Sequence, residues 1–262
     1  MNPKPLSGLT VLITRPSNQA DSLLRAIESI GAKVLSLPLI EIQALDDARA
    51  IQDLKDKVLR LDSYQSLIFV SNNAVSYGGE VINNFWPQFP IGVDVIAIGP
   101  STAEAARERF VCEVIQSNSG MTSEDILRLP QLQAVSGKKI AVVRGQGGRE
   151  LLADTLRERG AIVDYIEAYS RTPVDYERTV FCEELQSAGV NVLTVSSGES
   201  LDRLTDLLAD NREMMQQLSL IVPSLRVEQQ AVKAGYEHVH NAGGADPQSF
   251  VSALDELIIN QE

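Results

Sequence analysis

The sequence begins again at its midpoint. Ser7-Gly8 is matched by Ser136-Gly137 and Arg15 by Arg144. Leu23 is matched by Leu152, Ile27 by Leu156, Gly31-Ala32 by Gly160-Ala161, and Val34 by Val163, all without a gap. In the second copy an apolar run, Ile140 to Val143, leads into a glycine-rich turn. Leu151, Leu152 and Leu156 then recur at helical spacing up to Gly160, and a second apolar run opens at Ile162. Strand, turn, helix, strand is the βαβ unit of a parallel sheet. A repeat on this scale constrains the fold more than any local propensity does.

The matches continue past the first unit. Phe69-Val70-Ser71 corresponds to Thr194-Val195-Ser196, and Gly99-Pro100-Ser101 to Val222-Pro223-Ser224. Strands are expected at 9–14, 66–70, 93–98, 111–115, 191–195, 218–222 and 237–240. Helices are expected at 46–61, 102–109, 123–129, 176–187, 201–208, 226–234 and 247–259, with one beginning near Ser71. Pro38, inside the extended run 34–42, argues against a central strand and for a connecting strand there. Strands alternating with helices imply parallel sheets covered on both faces. The expected architecture is α/β, two similar doubly wound parallel-sheet (flavodoxin-like) domains. Ligands of such sheets sit outside the carboxyl ends of the strands, and two such ends facing each other would frame a cleft.

Composition narrows the function. A net charge of −12 argues against a general nucleic-acid binder, which carries a basic surface. The apolar fraction of 44% suits ordinary globular cores. Cys112 and Cys182 are too few and too far apart for a disulfide framework and have no ligand neighbours at metal spacing. The start, M-N-P-K-P-L-S-G-L-T, shows no secretory h-region, and no segment has the length of a membrane span. A cytoplasmic protein is expected.

Polar residues gather where strands are expected to end: Arg15; Ser71 and Asn72; Ser101 and Thr102; Arg144; Ser196 and Ser197; and Ser224. A helix N-terminus with a hydroxyl beside it suits an anion, although Ser and Thr there also serve as plain N-caps. The turn Gly145 to Glu150, with Gly147 and Gly148, has neither the G-x-G-x-x-G spacing of a dinucleotide loop nor the G-K-[ST] of a P-loop. His238 and His240 fall on one face of a strand without a third metal ligand. With no nearby histidine base, no reactive cysteine and no metal motif, an enzyme of this sequence would work by positioning and electrostatics. Tyr169, on the extended run after the second copy, could face the cleft as a donor or pack as a core aromatic.

Together these residues resemble a known family. V-L-I-T-R-P at the start, F-V-S-N-N-A-V at 69–75, A-I-G-P-S-T-A at 97–103, S-E-D-I-L at 123–127 and R-G-Q-G-G-R-E-L-L-A-D-T-L-R-E-R-G-A-I-V from Arg144 stand in the order found in uroporphyrinogen-III synthases. The resemblance implies a chain that crosses over twice. Residues 1–38 and 173–262 would form one domain and 43–167 the other, with linkers at 39–42 and 168–172. It implies a cyclising lyase of tetrapyrrole biosynthesis, without cofactor or metal. Its substrate would be hydroxymethylbilane, a linear tetrapyrrole lined with carboxylates, closed with loss of water and inversion of ring D through a cationic azafulvene and a spiro intermediate. It places Tyr169 at the departing hydroxyl. Arg15, Ser71, Asn72, Ser101, Thr102, Arg144, Gly147, Gly148, Ser196, Ser197 and Ser224 would bind the substrate. Where family members often read G-P-T-T, this chain has Val222-Pro223-Ser224-Leu225. A monomer is expected, in transient contact with the enzyme that makes hydroxymethylbilane, with no nucleic acid or membrane partner. The competing readings are a two-lobed α/β binding protein for an anionic small molecule, which would have the same fold, and a flavodoxin-like nucleotide or flavin binder, which would need the missing phosphate fingerprint.

Overall fold

The two copies of the repeat each form a parallel strand pair in the same register. The computed structural model describes residues 8–117, 120, 122–148 and 150–259. Ser7 and the start before it, parts of the 117–122 loop, and Arg149 of the glycine turn lie outside the described residues. The strands are β1 (Thr10–Ile13), β2 (Lys33–Ser36), β3 (Ile40–Ala44), β4 (Ser66–Phe69), β5 (Asp94–Ala97), β6 (Val114–Gln116), β7 (Lys139–Gly145), β8 (Ile162–Pro173), β9 (Val192–Thr194), β10 (Ser219–Val222) and β11 (Val239–Asn241). Thr10 stands opposite Lys33 in the first pair and Lys139 opposite Ile162 in the second. Each intervening helix ends at a glycine with nearly the same positive φ, 87° at Gly31 and 85° at Gly160.

The chain divides into two units. One takes residues up to Glu41 and from Thr172 onward; the other takes 42–171. The first holds a five-stranded sheet in the order β11-β10-β9-β1-β2, with every pairing parallel. Read from the β2 edge and numbered along the chain within the unit, that order is 2-1-3-4-5, the flavodoxin-like pattern. The second unit's sheet runs β3-β8-β7-β4-β5-β6, parallel from β8 to β6. Its pattern is the same if β7 and β8 are taken as the first two strands and β4, β5 and β6 as the last three. β3 is added outside β8.

Both sheets are covered on both faces, and alternation along the strands shows why. In β1, Leu12 belongs to one core while Val11 and Ile13 belong to the opposite one. In β4, Leu67 and Phe69 face one core and Ile68 the other. This period of two is what a doubly covered strand requires.

Several boundaries differ from the sequence expectation. The helix expected at 102–109 is Pro100–Phe110, with proline at its first position, where its missing N–H costs nothing. It ends on Val111 in the left-handed region (φ 50°), so the strand expected at 111–115 starts only at Val114. The helix expected at 201–208 starts at Gly198, and the strand expected at 237–240 is Val239–Asn241. A further helix, Arg212–Gln217, has no counterpart in the sequence expectation. The helix after Ser71 carries a π segment, Ala74–Gly78, for which the sequence holds no period of its own.

Candidate functional site

In a 2-1-3-4-5 sheet the chain reverses direction between the first and third strands, and the helices leave on opposite faces, opening a crevice at the carboxyl ends. In the second unit that point lies between β7 and β4. The residues at the carboxyl ends of those strands are Arg144 to Gly148 and Ser71 to Asn72. In the first unit it lies between β1 and β9, beside Arg15 and Ser196-Ser197.

Tyr169 is placed by a β-bulge. Arg144 on β7 faces Glu167, and the next residue, Gly145, faces Tyr169, so Ala168 is the extra residue on β8. Without the bulge, Tyr169 would share a face with Val163 and Tyr165. With it, the ring joins Ile166 and Ala168 in the opposite core. Bulges next to active sites re-aim side chains in this way. The ring is fully buried (0% exposed) and lies 5.5 Å from the Tyr77 ring. A Cβ on Gly145 would come within 2.5 Å of its Cε2, so only glycine allows the ring this close to β7. The alternative of a packed aromatic therefore describes the ring, while the hydroxyl is polar-bonded. Arg171 Nη2 donates to it at 3.3 Å, and Ser71 Oγ lies 3.2 Å away.

Ser71 caps the helix that follows β4, its Oγ accepting from the Ala74 N–H at 3.1 Å. Thr102 is buried, and its Oγ1 donates to Asn72 Oδ1 at 2.9 Å. Ser101, expected at a helix start, is the second residue of its helix behind Gly99 and is exposed, 3.5 Å from the same Asn72 oxygen. The second unit thus gathers Ser71, Asn72, Ser101, Thr102 and Tyr169 into two linked polar groups.

Arg144 stands on β7 itself rather than at a helix start, and it is buried. Its guanidinium lies 4.6 Å from the Tyr165 ring centre and 3.5 Å from Glu150 Oε1. Arg157 approaches the same ring at 5.3 Å. Tyr165 donates to Glu150, and burial together with that carboxylate pushes its pKa up. The first copy of the repeat starts its helix at Ser17, soon after β1. The second starts only at Leu151. The intervening residues become the loop with Gly147 and Gly148 at φ 69° and 95°. That loop borders a cavity of about 370 Å³, lined among others by Thr122, Ser123, Arg144, Tyr165 and Arg171. No motif in the sequence singles out Arg171, Tyr165 or Glu150. Arg171 carries a usable signal, because it lies two residues from Tyr169 on one strand.

In the first unit the expected residues stand at three separate strand ends. Arg15 lies 5.4 Å from the Phe250 ring and donates to the Ala245 carbonyl, while its buried Nε finds no hydrogen-bond partner among the described residues. Burial lowers its pKa against the pull of Asp246. Ser197 caps Gly198–Leu207, accepting from Ser200 N–H at 3.1 Å. Ser196 is half-buried beside it. Ser224 stands at the start of Leu225–Ala234, but its side chain makes no capping bond.

Parallel sheets with hydroxyl, amide and guanidinium groups clustered at the switch point define an α/β fold of the class whose ligands sit at the strand ends. The uroporphyrinogen-III synthase HemD family model matches residues 21–252. A uroporphyrinogen-III synthase of Proteus mirabilis is 36% identical over 196 residues, 75% of this chain and 97% of its own. That of Escherichia coli is 30% identical over 251 residues, 94% of this chain and all of its own. Among solved structures, a mutant uroporphyrinogen III synthase from Thermus thermophilus matches with a TM-score of 0.65 at 14% identity, covering 97% of this chain and 100% of that one. The Helicobacter pylori enzyme matches at 0.55 and 15%, covering 97% and 99%. The structural matches support the fold. The chain belongs to the uroporphyrinogen-III synthase family and is a cyclising lyase, closing hydroxymethylbilane to uroporphyrinogen III with loss of water and inversion of ring D.

Proposed function

We propose that the polar group around Tyr169 serves the departure of the substrate hydroxyl, and that the strand-end residues hold the carboxylates. One observation carries this reading: the Tyr169 hydroxyl, on a ring with no exposure, is held between Ser71 Oγ and a guanidinium. A hydroxyl fixed this way is aimed before the substrate arrives, and preorganised donors contribute most where charge develops. Arg144, Gly147 and Gly148, with Arg171, suit a substrate carboxylate in the 370 Å³ cavity, since guanidinium groups pair with carboxylates at fixed geometry. Asn72, Ser101 and Thr102 offer neighbouring polar contacts. Arg15, Ser196, Ser197 and Ser224 would do the same from the first unit.

No cofactor enters this reading. Among the described residues, no cluster of three potential metal-ligating side chains occurs, and no helix is long and apolar enough to cross a membrane. Cys112 and Cys182 are unpaired thiols, which suits a reducing compartment. We place the enzyme in the cytoplasm as a monomer that takes its substrate from the enzyme producing it. Tyr169→Phe tests the chemistry: general acid help is typically worth about a hundredfold or more, so turnover should fall by about that factor while the product remains isomer III. Unchanged turnover would reduce Tyr169 to packing.

A further inference from the structure

A fully buried hydroxyl cannot touch a substrate. Tyr169 has no exposed surface, its ring abuts Gly145, and the bulge at Ala168 fixes its direction. Among the described residues its hydroxyl has two hydrogen-bonding neighbours, Arg171 and Ser71. Arg171 can only donate, because a guanidinium has no acceptor. The Tyr169 oxygen therefore accepts from Arg171, and Ser71 Oγ, 3.2 Å away, is within reach of its proton. Ser71 is half-buried rather than buried. Its oxygen accepts the Ala74 N–H and keeps a second lone pair for Tyr169, so its own O–H is left to donate outward.

Building on the role given to Tyr169 above, we propose that Ser71 is the catalytic residue that meets the departing hydroxyl, and that Tyr169 supplies its proton from behind. The C–O bond of the terminal hydroxymethyl group breaks, with its electron pair going to oxygen. That oxygen takes the Ser71 Oγ proton and leaves as water, while Ser71 Oγ takes the Tyr169 proton. The pyrrole nitrogen lone pair supplies the new double bond of the azafulvene cation. The phenolate left on Tyr169 accepts from Arg171 Nη2. When the ring closes and aromaticity is restored, the attacking carbon loses a proton, which returns through Ser71 to Tyr169. Water is the sole net loss. Arg171 is a positioning residue here, acting through Tyr169.

The test uses the full chain with hydroxymethylbilane and five variants: Tyr169→Phe, Ser71→Ala, Ser71→Asn, Ser71→Thr, and Ser71→Ala combined with Tyr169→Phe. Asn caps a helix as well as Ser does, but its amide does not relay a proton, so Ser71→Asn separates capping from chemistry. Tyr169→Phe, Ser71→Ala and Ser71→Asn should each lose about a hundredfold in kcat with little change in KM. The double variant should be no slower than the slower single one, because the groups act as a unit. Ser71→Thr, which keeps the hydroxyl, should recover most of the rate. The solvent isotope effect on kcat should depend non-linearly on deuterium fraction in the unaltered chain, as two protons in flight require, and linearly in Tyr169→Phe. If Tyr169→Phe is slow but Ser71→Asn is not, or if the two losses multiply, the relay is wrong and Tyr169 acts alone. If both are normal, the role given to Tyr169 fails as well.

Discussion

Gly145→Ala would test whether the Tyr169 ring is as tightly seated as its surroundings indicate. An added Cβ would lie 2.5 Å from Tyr169 Cε2, 2.8 Å from Cζ and 3.0 Å from Cδ2. Carbon atoms pack at roughly 3.5–4.0 Å, so the ring must retreat by about 1 Å. Tyr77 stands on the ring, 5.5 Å between centres, and two polar bonds hold the hydroxyl. Overpacking of this kind costs about 1–3 kcal/mol. Urea unfolding should show a lower midpoint with an unchanged slope. Turnover should fall further than stability suggests, because a misplacement of about 1 Å costs on the order of a hundredfold. In a Tyr169→Phe background the same methyl should still destabilise but remove little further rate. In a Tyr169→Ala background the stability loss should nearly vanish. A Gly145→Ala protein with unaltered midpoint and turnover would refute this placement of the ring.

Val111 is β-branched, 90% exposed and left-handed (φ 50°); Val111→Gly should raise stability by about 1 kcal/mol, read as a higher unfolding midpoint. Ser197→Ala removes the cap on Gly198–Leu207 and should cost about 1 kcal/mol in chemical denaturation, with turnover reduced about tenfold at most, as one hydrogen bond allows. His240 is held below its ordinary pKa by burial and then by His238. The unfolded chain therefore takes up that proton first, so its contribution is intact above pH of about 6.5 and is lost as pH falls through the folded value. His240→Gln should flatten the decline in stability on acidification below pH of about 6.5, and an identical decline would exclude His240 as its source.

Much of the fold is legible because the repeat carries its own register. Arg15 and Arg144, or Gly31 and Gly160, match in sequence and then occupy equivalent strand ends and helix stops. The switch points depend on strand order, which no local pattern encodes, since β7 pairs with β4 across the long separation between Gln65 and Lys139. The site is harder to read. One extra residue at Ala168 moves Tyr169 to the other face of β8, and nothing in the run Tyr165-Ile166-Glu167-Ala168-Tyr169 marks it. Ser101 falls inside the first turn of its helix rather than ahead of it because Pro100 is accepted as the first helical residue. The match with Arg15 locates Arg144 at a strand end, yet its burial depends on Tyr165 and Glu150, which come from later in the chain.

The isomer that the unaltered chain forms from hydroxymethylbilane shows directly whether it positions ring D. Free in solution the substrate closes unflipped to isomer I, whereas a site that positions ring D yields isomer III. Isomer III is expected, formed faster than the spontaneous closure, with no metal or cofactor added. Isomer I alone, at the spontaneous rate, would contradict it.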